Sequence, residues 1–244
     1  MIGSTILHLD RVDSTNNYAA TELLTKSLNE GTVVAARCQQ AGRGQWQAKW
    51  ESAPGLNLTF SIVLYPSWLD LSRQFYLSQT ISLGVADYLS QNIQGVTVKW
   101  PNDIYVYDKK IAGILIETAI MGDRFSHAIA GIGLNVNQEV FVSDAPNPVS
   151  MKTLTDECYD LDSALNELCQ KLDLRYRQLV SGEYETLQSD YQKLLYKRGI
   201  WANFRDQEEE FEGRISGVES DGKVLIETRE GLVRGYYFKE VAYR

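Results

Sequence analysis

The chain of 244 residues is 44% hydrophobic, which suffices for one large core with room for a small second domain. It carries 24 basic and 32 acidic side chains, a net charge of −8, and it contains no basic stretch. Because nucleic-acid binding depends on clusters of Lys and Arg, this composition argues against a nucleic-acid partner.

Cysteine usage and the N-terminus bear on the compartment. Cys38, Cys158 and Cys169 form no CxxC pair, so a reducing setting fits better than a disulfide framework. The N-terminus lacks the basic-then-apolar pattern of a signal peptide, and no run of about 18 apolar residues predicts a membrane span. We therefore expect a soluble, cytoplasmic protein.

Helical and strand patterns alternate along most of the chain. In order, they predict a strand (4–10), a helix (16–28), two strands (32–37 and 56–66), a helix (72–92), four strands (96–100, 104–107, 111–119 and 125–136) and a long helical region (161–197). Asp13, Ser14 and Thr15 are capping residue types for the first helix. The stretch 39–55 breaks all periodicity, and loops of that length are often functional.

The last segment changes character at Gly199. Short strands punctuated by glycines follow, and Asp221-Gly222 between two apolar runs is a hairpin signal. So short a module is expected to be stable only when docked on the main domain. The sequence therefore predicts an α+β fold, with a main domain at 1–197 and a small β-barrel-like domain at 198–244.

Several common site types do not fit the sequence. His8 and His127 are far apart and lack neighbouring metal ligands, so no protein metal site is predicted. Neither a GxSxG motif nor a Walker phosphate loop occurs. The GIG at 131–133 resembles the start of a dinucleotide fingerprint, but Val136 stands where the third glycine belongs.

The first segment with candidate chemistry is the loop around Arg43. Gly42 and Gly44 let backbone amides approach a phosphate, and Arg43 adds a bidentate donor. Trp46 and Trp50 stand in a polar loop, where a role in the core is not expected. By itself this segment fits a surface loop with a structural arginine equally well.

The second segment is KWPND, followed by Lys110. Pro101 has no N–H for a sheet ladder, so the strand turns there and presents Asn102 and Asp103 at the sheet edge. Lys110 opens an apolar strand, where a lysine can neutralise a ligand carboxylate or a phosphate. The alternative is a solvated turn lysine, which is what we expect of Lys109.

The third segment is GIGLN. Gly131 and Gly133 leave the backbone bare near a ligand, and Asn135 offers a donor and an acceptor. Asn135 as a simple turn residue is the alternative.

Five blocks together carry a family resemblance. They are DSTNNYA (13–19), QQAGRG (39–44), KWPNDIYV (99–106), KKIAGILIE (109–117) and GIGLNVN (131–137). In order and spacing they resemble the biotin protein ligase family over about residues 1–190, and FEGRISGVESDGKVLIET (211–228) is similar to its SH3-like domain. The resemblance implies a mixed-sheet catalytic domain of the biotin/lipoate ligase type with a small C-terminal SH3-like β-barrel.

The resemblance also implies residue roles. The implied biotin contacts are Ser14, Thr15, Asn16, Gln39, Arg43, Gly44, Gln45 and Lys110. The implied ATP and adenylate contacts are Arg43, Trp50, Lys99, Asn102, Lys110, Asn135 and Arg244. Arg43 and Lys110 would act on the carboxylate and phosphate, while Asp103 would orient or deprotonate the acceptor lysine.

The implied reaction converts biotin and Mg2+-ATP into biotinyl-AMP and then transfers biotin to a lysine of a carrier protein. The expected acceptor is the biotin carboxyl carrier domain of acetyl-CoA carboxylase, and the expected assembly is a homodimer. Two alternatives remain: a lipoate or octanoate ligase or transferase of the related fold, and a non-enzymatic biotin-binding regulator.

Two departures from the family pattern bear on these expectations. Gln47 stands where relatives often have a glycine, making the segment 45–48 stiffer and less basic, which puts retention of the adenylate in doubt. The first predicted strand begins within ten residues of Met1, leaving no room for a helix-turn-helix domain. That placement argues against a repressor role.

Overall fold

The computed structural model describes residues 2–25, 28–44, 49–143 and 147–244, which form twelve strands, five α-helices and a short 3-10 helix at Leu71–Arg73. The strands are β1 (Ile6–Leu9), β2 (Val33–Ala36), β3 (Leu58–Leu64), β4 (Val96–Lys99), β5 (Asp103–Val106), β6 (Lys109–Met121), β7 (Arg124–Leu134), β8 (Trp201–Arg205), β9 (Glu210–Val218), β10 (Val224–Thr228), β11 (Val233–Tyr236) and β12 (Ala242–Tyr243). The helices are α1 (Thr15–Thr25), α2 (Phe75–Leu89), α3 (Met151–Thr155), α4 (Leu161–Val180) and α5 (Tyr184–Leu194).

The larger sheet is mixed, with the order β1-β2-β3-β7-β6-β5-β4. Strands β1 and β2 are parallel, and the other neighbours are antiparallel. Helix α2 packs on β4, β5 and β6, and α4 and α5 pack behind it, while α1 packs against β3 and β7. This arrangement confirms the α+β class and the mixed catalytic-type sheet.

Strand β3 is buried on both faces, although its alternation predicted a single apolar face. Phe60 and Ile62 belong to the main hydrophobic cluster. Val63 instead packs with Ala19 and Val34 in a smaller cluster beside α1. Because α1 covers the second face, every residue of the strand is buried.

The helical region after residue 150 differs from the prediction in two places. The helix expected over 161–197 is divided between α4 and α5, and Gly182 between them adopts φ +76°, which a glycine accommodates without strain. The short helix α3 was not predicted. It begins with a capping box, in which Ser150 and Thr153 each bond the other's backbone N–H.

The second sheet is antiparallel, with the order β11-β10-β9-β8-β12. The Asp221-Gly222 turn joins β9 and β10, and Gly222 adopts φ +98° there, so the predicted hairpin is confirmed. Phe204 and Ile215 from this sheet lie in the same hydrophobic cluster as the first sheet. Because one cluster spans both sheets, the domain boundary at 197/198 stays a prediction.

None of the helices in the described ranges combines the length and hydrophobicity that crossing a bilayer requires.

Candidate active site

A cavity of about 470 Å3 lies where the larger sheet, the start of α1, the loop after β2 and the second sheet meet. Its walls include most of the residues that the sequence marked. These are Ser14, Thr15, Asn16, Gln39, Arg43, Gly44, Trp50, Lys99, Asn102, Asp103 and Lys110.

The floor of the cavity is built by the register of three strands. Gly133 pairs with Gly113 on one side and with Thr59 on the other, and Gly131 lies in the next row of the same face. A Cβ on Gly131 would lie 2.3 Å from Asn16 Oδ1, and one on Gly133 would lie 2.3 Å from Trp50 Cε2. The two glycines therefore leave room for Asn16 and Trp50, which cover the backbone that the sequence predicted to be bare.

One end of the cavity is a network of neutral polar groups. The Ser61 hydroxyl lies 2.7 Å from Thr15 Oγ1 and 2.5 Å from Asn16 Oδ1. Gln39 Oε1 accepts from the Thr15 N–H at 2.8 Å and from its hydroxyl at 3.1 Å. Thr15, Asn16 and Ser61 are buried, so this network holds Gln39 with its Oε1 occupied and its Nε2 available as a donor.

Arg43 is paired with a carboxylate that the sequence reasoning did not assign. Its NH2 group donates to Glu117 Oε2 at 2.8 Å and to Oε1 at 3.0 Å. Glu117 Oε2 also accepts from Asn16 Nδ2 at 2.7 Å. Both charged side chains are 41% exposed, so this is a water-accessible pair at the cavity mouth.

Lys110 lies between a carboxylate and an indole ring. Its Nζ is 2.7 Å from Asp103 Oδ2 and 5.8 Å from the centre of the Trp50 ring. Asn102 is buried and donates from Nδ2 to the Ile114 carbonyl, which ties the KWPND turn to β6. The turn therefore places Asp103 beside the lysine that follows in β6.

Lys99 occupies an aromatic environment in the same cavity. Its Nζ is 3.3 Å from the Tyr105 hydroxyl, and its distances to the ring centres of Tyr105, Tyr243 and Tyr196 are 4.8, 5.5 and 5.9 Å. Burial lowers the pKa of the Lys99 ammonium and raises the pKa of Tyr105 to about 12. The rings stabilise the cation that burial disfavours.

The second sheet supplies an apolar wall that the sequence reasoning missed. Its lining residues are Phe204, Ile215, Val224, Ile226, Phe238, Val241, Ala242 and Tyr243. Trp100 connects the KWPND turn to this wall. Its Nε1 donates to the Gly222 carbonyl at 2.9 Å, and its ring contacts Phe238 edge-on. The aromatic residues were visible in the sequence, but nothing local indicated that their strands return to the first sheet.

Three marked residues lie elsewhere or outside the described residues. Asn135 is buried away from the cavity walls, and its Nδ2 donates to the Val149 carbonyl at 3.0 Å. The Nε of Arg244 lies 3.1 Å from Glu210 Oε1. Gln45 falls in 45–48, outside the described residues. In the described ranges, no group of three His, Cys, Asp or Glu side chains is arranged to hold a metal ion.

The cavity thus joins neutral hydrogen-bonding groups, the four cationic side chains of Arg43, Lys49, Lys99 and Lys110, and an apolar aromatic wall. Such a site suits a ligand that carries a polar uncharged ring, a carboxylate and a phosphorylated aromatic base.

Comparison with known proteins agrees with this chemistry. Residues 8–135 match the family model described as the biotin/lipoate A/B protein ligase family. The chain is 30% identical to the bifunctional ligase/repressor BirA of Bacillus spizizenii, over 97% of this chain and 73% of that protein. It is 27% identical to the biotin–[acetyl-CoA-carboxylase] ligase of Paracoccus denitrificans, over 89% of this chain and 92% of that protein.

A solved structure agrees over the whole length. The biotin protein ligase of Aquifex aeolicus, in complex with biotin and ATP, superposes with a TM-score of 0.82 at 25% identity and covers 99% of both chains. The chain therefore belongs to the biotin/lipoate A/B protein ligase family, and within it to the biotin protein ligases.

Proposed function

We propose that this chain is an ATP-dependent biotin–protein ligase, which makes biotinyl-5'-AMP and transfers the biotin to a lysine of a carrier protein. One observation carries the proposal: the neutral polar network and the cationic groups Arg43 and Lys110 converge on a single cavity. The relative solved with biotin and ATP supports the same substrates.

The polar end of the cavity fits the ureido ring of biotin. That ring offers two N–H donors and one carbonyl acceptor. The hydroxyls of Ser14 and Thr15 and the amides of Asn16 and Gln39 provide partners of both kinds. Because Gln39 Oε1 is already occupied by Thr15, we assign its Nε2 as the donor to the ureido carbonyl.

The cationic groups fit the activation step. The biotin carboxylate attacks the α-phosphorus of ATP, the bond to the β-phosphate oxygen breaks, and pyrophosphate leaves. Arg43 and Lys110 would neutralise the charge that builds on the phosphorus oxygens, and Lys99 would add charge at the nucleotide. Mg2+ would enter with the ATP phosphates as part of this substrate.

The transfer step needs a free amine. The acceptor lysine attacks the acyl carbon of the mixed anhydride, an amide forms, and AMP leaves with the electron pair of the broken bond. Asp103 would orient that amine or accept its proton, and its 2.7 Å contact with Lys110, the proposed phosphate ligand, supports this role. No covalent enzyme intermediate is required.

The remaining proposed contacts divide into residues that line the cavity and residues that do not. Trp50 would cover the adenine ring, and Gly44 and Asn102 would contact the adenylate. Asn135 and Arg244 do not line the cavity, so their contacts would require movement of the second sheet or of the loop after β7. Gln45 would add a biotin contact from outside the described residues.

A lipoate or octanoate enzyme is the nearer alternative. Transferases of that kind use a cysteine nucleophile, but Cys38 is not among the residues that line the described cavity. A dithiolane or alkyl chain would also leave the buried Thr15–Asn16–Ser61 network without a polar ligand. Isothermal titration with biotin and lipoate separates the two, and tighter lipoate binding would contradict the proposal.

The acceptor, the assembly and the compartment complete the proposal. The acceptor would be the biotin carboxyl carrier domain of acetyl-CoA carboxylase, since the name of the Paracoccus relative gives acetyl-CoA carboxylase as its acceptor. A homodimer would form through the β1 edge, since the β4 edge is covered by the Val98–Leu195 bridge. Three free cysteines fit a reducing, cytoplasmic setting.

The deciding experiment is pyrophosphate release by the purified chain. We expect release that depends on both biotin and ATP, followed by biotin transfer to a purified carrier domain. A non-enzymatic regulator would bind biotin without releasing pyrophosphate, and that result would contradict the proposed function. Light scattering with and without the two substrates measures the assembly.

A further inference from the structure

Glu117 contacts two of the proposed ligand-binding residues at once. Its Oε2 accepts from Asn16 Nδ2 at 2.7 Å and from Arg43 NH2 at 2.8 Å, and its Oε1 lies 3.0 Å from the same arginine nitrogen. Asn16 and Arg43 line the cavity, whereas Glu117 does not. Any effect of Glu117 on a ligand therefore passes through these two residues.

The contact fixes the orientation of the Asn16 amide. Asn16 is buried, and its Oδ1 lies 2.5 Å from the Ser61 hydroxyl. An ionised carboxylate only accepts hydrogen bonds, so Nδ2 must face Glu117. A flipped amide would direct Oδ1 at the carboxylate and set two hydrogen-bond acceptors against each other.

The contact with Glu117 also leaves the Nε and NH1 groups of Arg43 available to a ligand. Both hydrogen bonds to Glu117 come from NH2, and within the described residues neither Nε nor NH1 of Arg43 donates to the protein. Because both side chains are 41% exposed, the pair contributes little to folding. Its main effect is on where the remaining N–H groups point.

The geometry points to Glu117 as a positioning residue for biotin activation, an inference that rests on the proposed function. Glu117 orients the Asn16 amide for the ureido ring, and it holds Arg43 where Nε and NH1 meet the carboxylate and the developing phosphate charge. A fixed orientation matters because a shift of about 1 Å in a catalytic group can cost about a hundredfold in rate.

Two substitutions separate the two contacts. Glu117→Gln keeps an oxygen that can accept from Asn16, but it removes the charge and turns an amide toward Arg43. Glu117→Ala removes both contacts. The matched controls are Glu212→Gln and Glu212→Ala, because Glu212 makes a similar bidentate pair with Arg229 at 2.7 and 2.8 Å, with 44% and 50% exposure, away from the cavity.

The measurement is the rate of pyrophosphate release at varied biotin concentration, with thermal unfolding followed in parallel. For Glu117→Gln we expect kcat to fall about tenfold while KM for biotin stays within about twofold, because only the orientation of Arg43 is lost. For Glu117→Ala we expect KM to rise about tenfold as well. A merely structural role would lower the unfolding temperature without this division between kcat and KM.

The contrary outcomes are distinct. If the wild-type chain releases no pyrophosphate, the proposed function fails and the inference fails with it. If the wild type is active and both Glu117 variants match their Glu212 counterparts, only the positioning role is wrong. Should Glu117→Ala fail to fold, the nearly isosteric Glu117→Gln decides, because unchanged kcat in that variant overturns the inference.

Discussion

Lys110 is the side chain whose removal should separate chemistry from folding. Its pair with Asp103 is partly exposed, with 24% and 31% of the two side chains accessible, so the pair contributes little to stability. For Lys110→Ala we expect the rate of adenylate formation to fall by about a hundredfold or more, because the variant lacks the charge that we propose for the developing phosphate. Pyrophosphate release and thermal unfolding measure the two effects.

Lys109 provides the control for this prediction. It is the exposed neighbour on the same strand, and Lys109→Ala should leave the rate unchanged within about twofold. An equal loss in both variants would show that general charge, and not the position of Lys110, matters.

The second prediction at the residue scale concerns the substitution of Gly131. A Cβ there would lie 2.3 Å from Asn16 Oδ1, so in Gly131→Ala the buried amide must move out of its network. We expect the variant to bind biotin at least about tenfold more weakly and to lose about 1–3 kcal/mol of stability. Gly235→Ala is the control, because its Cβ would meet Leu225 at an ordinary 3.5 Å. Equal biotin affinity for both variants by titration calorimetry would contradict the prediction.

Single residues differ in how far the sequence could assign them. Asn16 and Gln39 were marked from family blocks, and the structure brings them to one network although their roles stay predictions. Glu117 stood inside the quoted block 109–117 but was not assigned. Its partners lie 101 and 74 residues away in the chain, and no local pattern reports a pairing over such separations.

At the scale of elements, α5 supports the turn that carries the catalytic candidates. The hydroxyl of the fully buried Tyr191 donates to the Pro101 carbonyl at 2.9 Å. Tyr191→Phe removes this part-buried hydrogen bond, so we expect a loss of about 1 kcal/mol and lower activity. Urea unfolding and pyrophosphate release measure both.

Tyr184 on the same helix is the matched control. Its ring packs on Tyr76 and under Arg73, while its hydroxyl makes no hydrogen bond within the described residues. Tyr184→Phe should therefore change neither quantity. If Tyr191→Phe behaves like this control, α5 does not support the turn.

Elements were predictable where local chemistry specifies them. The Asp221-Gly222 hairpin and the end of β4 shortly before Pro101 follow from turn residues alone. The burial of both faces of β3 depends on the packing of α1 against that strand. This is a tertiary contact, which the local pattern of the strand does not report. Helix α3 is five residues long, too short for a periodic pattern to indicate.

For the whole molecule, the continuous cluster across both sheets predicts how the chain unfolds. Phe204 is 2% exposed and packs on Phe211 and Tyr243 in the second sheet, within the cluster that also contains the first sheet. Phe204→Ala should cost about 3–5 kcal/mol and lower the stability of both sheets together. Leu232→Ala, at a position 56% exposed in the turn before β11, should cost little.

The measurement is urea unfolding followed by far-UV circular dichroism and by tryptophan fluorescence, with and without biotin and ATP. If the two sheets form one cooperative unit, both probes report one midpoint, and Phe204→Ala shifts both equally. Since the ligand cavity is lined from both sheets, biotin and ATP should raise that common midpoint. A separate early transition in the variant would instead favour two independent domains divided at 197/198. The first sheet would then remain folded after the second sheet had unfolded, and it would bind biotin without the apolar wall.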